Sequence, residues 1–269
     1  MRRVLVAVGL LAGTAAALLA HDLFLKLDTY FVPPETTVRV AVLNGTFTVS
    51  EGSVTVDRLL DLSVVGPAGR RALERSAWQP AGDSTWLTVR TGAAGTYVVG
   101  ASTGPRELDL SAAEFNEYLE HDGVPDVLEE RRRAGELDRA VRERYHKHVK
   151  AVFQAGERRT DAFGTALGYP AELVPAANPY ALRVGDTLRL RCLVDGKPLG
   201  NQLVVSGGET APGVLRPERR QRSDAEGGVA VPLDTPGKWY VKFIHMERST
   251  TPGVDYESKW ATLSFEVRP

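Results

Sequence analysis

The sequence predicts a mainly β protein: two Ig-like or prealbumin-like β-sandwich units with a helical insertion between them. Short alternating runs broken by Gly and Pro turns fill residues 21–105 and return over residues 161–269. Between them, over 106–160, helical spacing and dense mixed charge replace the alternation.

In the first unit, Thr37–Val42 alternates between Pro33-Pro34 and Asn44-Gly45. Asp61–Val65 ends in Gly66-Pro67, Thr85–Val89 runs into Gly92 and Gly95, and Gly95–Gly100 closes the unit. The middle segment opens with the capping box Ser111-Ala112-Ala113-Glu114, followed by Phe115, Tyr118 and Leu119 at helical spacing. Val124-Pro125 interrupts it. Leu128, the charged run 129–144, Tyr145, Val149 and Val152 then predict one or two further helices. In the last unit, Thr187–Val194, Gln202–Val205, Val229–Leu233, Trp239–His245 and Trp260–Val267 read as strands, with Asp195-Gly196 and Pro236-Gly237 as turns. No period of 20–50 residues repeats.

The first twenty residues have the form of a secretory signal peptide. Arg2 and Arg3 precede an uncharged apolar stretch from Val4 to Leu19 that ends in small residues and Ala20. The polar pair His21-Asp22 arrives too early for a membrane span, so the mature chain is expected to carry none and to be periplasmic or secreted. About 249 residues then remain, enough for one large β protein or two β-units with a spacer. A formal net charge of −1 argues against a nucleic-acid partner, which needs a basic excess to neutralise phosphates. The single cysteine, Cys192, shares a strand face with Leu188, Leu190 and Val194 and reads as a small buried apolar residue.

Cleavage after Ala20 makes His21 the first residue. Its α-amine and an imidazole nitrogen then form a bidentate chelate suited to copper or nickel. Cleavage after Ala17, where Ala15 and Ala17 satisfy the small-residue rule, leaves Leu18-Leu19-Ala20 in front and removes the chelate.

Several groups of residues together resemble the domain-of-unknown-function 4198 family. They are His21-Asp22-Leu23-Phe24 after the leader, Ser111–Leu119 with Arg144-Tyr145 and Lys150, Glu172–Pro175 through Asn178-Pro179-Tyr180, Asp195–Leu199, Pro236–Trp239, His245-Met246, and Tyr256–Ala261. The resemblance covers nearly the whole mature chain. It implies an exported protein, with a loose link to periplasmic parts of nickel and cobalt uptake, and it makes His21 and His245 the matching histidines.

His21 and His245 therefore form the candidate metal site: amine, imidazole and second imidazole for copper, nickel or cobalt. Alternation puts His245 on the face of Val241 and Phe243, where it is either a ligand at the sheet end or a buried neutral histidine. His146 and His148 sit in a helical context, where residues two apart do not face each other, and read as solvated helix histidines. His121 reads as a helix C-terminal histidine favoured by the dipole. Asp22, Asp255 and Glu257 are candidates for orienting a ligand ring.

No nucleophile elbow, P-loop, HExxH or dinucleotide fingerprint is present, so no catalytic set is expected. Three functions compete: binding and delivery of a transition metal, with a membrane transporter or envelope protein as partner; a non-catalytic envelope scaffold; and a copper-dependent oxidase of glycans. The last requires a flat aromatic surface near His21, for which Phe24, Tyr30 and Trp260 are the candidates.

Overall fold

A computed structural model describes residues 21–269; the predicted signal peptide, residues 1–20, lies outside them. Among the described residues the chain builds three sheets and two α-helices. The central sheet has eleven strands. Its path runs Val214–Leu215, Leu203–Ala211, Gly237–Arg248, Tyr256–Val267, Val141–Ala155, Gly95–Thr103, Leu59–Gly66, Gly69–Ala72. Strands from both predicted β-units thus share one sheet, joined where Val141–Ala155 pairs parallel with Tyr256–Val267.

The strand Val141–Ala155 corrects the helical reading of this segment. Helix α1 (Ala112–His121) opens at the predicted capping box, and α2 (Pro125–Ala134) follows with Pro at its first position. Gly135, at φ 68°, caps α2 in the left-handed conformation that glycine adopts without a Cβ penalty. Beyond it the chain is extended. Glu143, Tyr145, Lys147, Val149, Ala151 and Phe153 alternate onto one face, and Arg144, His146, His148, Lys150 and Val152 onto the other.

Each face is covered by a different layer. The sheet of Asp22–Leu27, Thr37–Gly45, Ser84–Arg90 and Trp78–Ala81 lies over the Lys147 face, where Thr262 Oγ1 donates to Leu23 O at 2.7 Å. The helices cover the same face further along. Tyr118 stacks on Trp260 at 5.7 Å between ring centroids, and Phe115 packs on Tyr256. The third sheet, built on Thr187–Val194, covers the His148 face, and there Lys150 Nζ meets Glu172 Oε2 at 2.8 Å. Burying both faces of the central sheet accounts for the unbroken buried run from Lys147 to Ala155. Cys192 is fully buried in the main core, as its strand face predicts.

Candidate functional site

His21 immediately precedes the strand Asp22–Leu27, which pairs antiparallel with Thr37–Gly45. This start is held from below. The buried Lys147 ammonium donates to the His21 carbonyl and to Asn44 Oδ1 at 3.1 Å. The next residue, Asp22, forms a buried ion pair through Oδ2 with Lys242, while Asp22 Oδ1 is buried with no hydrogen-bond partner. The His21 ring meets Glu51 Oε2 through Nε2 at 3.0 Å.

His21, Glu51, His121 and Asp122 line one cavity of about 560 Å³, with Lys242 and Tyr240 in its wall. Tyr240 belongs to a small aromatic cluster with Phe24 and Phe47. Its hydroxyl donates to Glu218 at 2.6 Å.

The low-dielectric wall shapes the charges. Burial, reinforced by the charge of Asp22, pushes the Asp122 carboxyl up to about 7. Burial brings Lys147 down to about 8, against the pull of Asp22. Burial also acts to lower Lys242, but the charge and hydrogen bond of Asp22 outweigh it and leave that ammonium raised.

The structure does not bring the two predicted metal histidines together. His245 pairs in register with Lys259, which pairs with His146. By strand alternation this row faces the third sheet, whereas Lys147 and Lys242, which hold the His21 end, point to the opposite face. The eleven-stranded sheet therefore separates His21 from His245. His245 is half-buried at the end of the Val241–Phe243 face, with Glu247 Oε2 3.8 Å from its Nε2 and its pKa lowered by burial.

His121 ends α1 as expected and joins the cavity of His21. His146 and His148 are not solvated helix residues. They share one face of Val141–Ala155 with ring centroids 6.1 Å apart, and burial lowers both, His148 to about 3. Asp255 and Glu257 lie elsewhere: Asp255 pairs with Arg139 at 3.0 Å, and Glu257 accepts from Ser249 and Thr251 at 2.9 Å. Phe24, Tyr30 and Trp260 are buried at 2%, 0% and 2% exposure, so they form no aromatic platform of the kind a glycan oxidase requires.

Sequence reasoning missed Lys147, Lys242, Glu51 and Asp122 as parts of this site. Alternation in Val141–Ala155 was the available signal for Lys147; nothing local marks the other three, which meet only through the sheet stacking.

The donors at the cavity are nitrogen and carboxylate, a set that suits copper(II) or nickel(II). Among the described residues no three His, Cys, Asp or Glu side chains already converge on a metal position. A chelate here therefore turns on the α-amine of a chain that begins at His21.

A two-sided β scaffold with a polar cavity at the start of its first strand is the class of protein these features define. The chain belongs to the family described as Domain of unknown function (DUF4198), whose model matches residues 18–247. No curated protein matches. A solved structure described as "Crystal structure of tetra-tandem repeat in extending region of large adhesion protein" is 13% identical, with a TM-score of 0.24. That match covers 93% of this chain and 50% of the other, so the chain spans about half its length. Among the described residues no helix is long and apolar enough to cross a membrane.

Proposed function

We propose that the protein is exported, is cleaved after Ala20, and binds one copper, nickel or cobalt ion at its mature N-terminus for uptake or for delivery to a membrane transporter or envelope protein. The observation that carries this reading is the single cavity shared by His21, Glu51, His121 and Asp122. After cleavage, the amine and imidazole of His21 supply the chelate. Glu51 is placed to orient the ring or to complete the donor set. His121 and Asp122 replace His245 as the further donors, because they lie on the His21 side of the sheet. The Lys147 and Lys242 clamps fix the chain immediately after the chelate, which lowers the ordering cost of binding.

The test is metal binding to the mature protein by titration calorimetry. His21→Ala is expected to lose one tightly bound equivalent. Loss of outer partners alone costs roughly 10–100-fold in metal affinity, so loss of a direct ligand is expected to cost ~100-fold or more. His245→Ala is expected to retain that equivalent. Equal binding by His21→Ala and the unaltered protein refutes the assignment, and a complete absence of metal binding leaves the envelope-scaffold function in its place.

A further inference from the structure

We propose that His146 and His148 form a second transition-metal site, on the opposite face of the central sheet and independent of His21. Two residues apart on a strand share a face, and these two rings lie 6.1 Å apart at 29° between planes, a spacing at which one ion between them can reach a nitrogen of each.

Each ring also presents an unexplained group. His148 Nε2 and His146 Nδ1 are both buried without a hydrogen-bond partner. An orphaned buried polar atom is costly, and native folds keep few of them. Two orphans on adjacent rings of one face are satisfied together by a single bound cation.

The surroundings prepare His148 as a ligand. Its Nδ1 lies 2.9 Å from Ser102 Oγ. In the tautomer where Nδ1–H donates to Ser102, Nε2 carries the free lone pair that a metal takes. Tyr169 packs against the His148 ring at 5.9 Å between centroids. His146 is half-buried and provides the way in from solvent, from which water completes the coordination. Neutral imidazoles without a thiolate suit copper(II), nickel(II) or zinc(II).

Three cations, Lys259, Arg144 and Arg58, oppose a positive charge at His146, and Glu257 favours it. Lys259 is the register partner of His146, and its ammonium is held by Asp195 at 2.6 Å. This places a fixed positive charge beside the site, and removing it is expected to tighten binding of a cation.

The experiment uses the full mature chain carrying His21→Ala, which silences the first site, with copper(II) alone as the probe. Equilibrium dialysis is expected to find one bound equivalent, with imidazole nitrogen coupling in its electron paramagnetic resonance spectrum. Adding His146→Gln or His148→Gln is expected to weaken that equivalent ~100-fold, and adding Lys259→Met to strengthen it several-fold. Circular dichroism checks that each variant is folded. If His148→Gln does not fold, the half-buried His146→Gln carries the comparison alone. Absence of bound copper in His21→Ala, or an equivalent whose affinity neither glutamine variant changes, overturns the proposal.

Discussion

Glu172→Ala is expected to destabilise the protein by about 5 kcal/mol, at the upper end of the cost of breaking a buried ion pair. Glu172 Oε2 accepts from Lys150 Nζ at 2.8 Å, and each side chain is only 3% exposed. The same carboxylate accepts from three successive backbone N–H groups, those of Leu167, Gly168 and Tyr169, at 2.7–2.8 Å. Alanine leaves the ammonium unpaired in the core and orphans all three donors.

The order of variants separates these causes. Lys150→Met removes the cation but leaves Glu172 its three backbone donors, so its expected cost is smaller, about 1–3 kcal/mol. Glu172→Ala is thus expected to lower the melting temperature by about 10–20 °C, and Lys150→Met by less, about 2–12 °C. Equal losses in the two variants would mean that the backbone donors contribute little. The cradle matters beyond stability because it holds Tyr169, the ring that packs against His148.

Removing the acid at position 143 is expected to abolish a pH-dependent part of the stability. Glu143 is fully buried. Burial pushes its carboxyl up to about 7 from 4.5, despite opposing hydrogen bonds from Ser258 and Tyr118. A raised native pKa means that the fold holds the proton more tightly than the unfolded chain. The contribution is therefore complete below pH about 4.5 and is lost as pH rises towards about 7. Its upper limit is about 3 kcal/mol. Relative to Glu143→Gln, which keeps the acceptor for Tyr118 and Ser258, the unaltered protein is expected to lose stability by up to that amount across this window. Urea midpoints measured from pH 4 to 8 read it directly. A difference between the two proteins that stays constant with pH would show that Glu143 does not titrate as described.

The mainly β character was legible because turn chemistry and alternation are local. Thr187–Val194 matches its predicted bounds, since its polar and apolar residues alternate from Thr187 to Cys192. The start of α1 was equally plain from its capping box. Val141–Ala155 was read as helix because it follows the charged face of α2 without an apolar break. Its outward residues Arg142 and Arg144 flank the buried Glu143, so the charges at its start hide the period of two. Gly135 was the overlooked stop signal.

The candidate site was legible only in part. Alternation correctly put His245 with Val241 and Phe243, and the leader boundary singled out His21. Which side of a sheet another strand covers is a non-local fact. The parallel pairing of Val141–Ala155 with Tyr256–Val267, across more than a hundred residues of sequence, has no local marker. That pairing sets His146 beside Lys259, whose other neighbour across the antiparallel pairing of Gly237–Arg248 with Tyr256–Val267 is His245, while His21 shares its cavity with Glu51, His121 and Asp122.

We propose the α-amine of His21 as a metal donor. The most direct measurement compares copper(II) affinity of the mature protein starting at His21 with that of the same protein acetylated at its N-terminus. Acetylation converts the amine into an amide, adds no new amine and leaves every side chain in place. Loss of one bound equivalent, or its weakening by ~100-fold, is the result the chelate predicts. Two proteins that bind the same number of copper ions with the same affinity would contradict it.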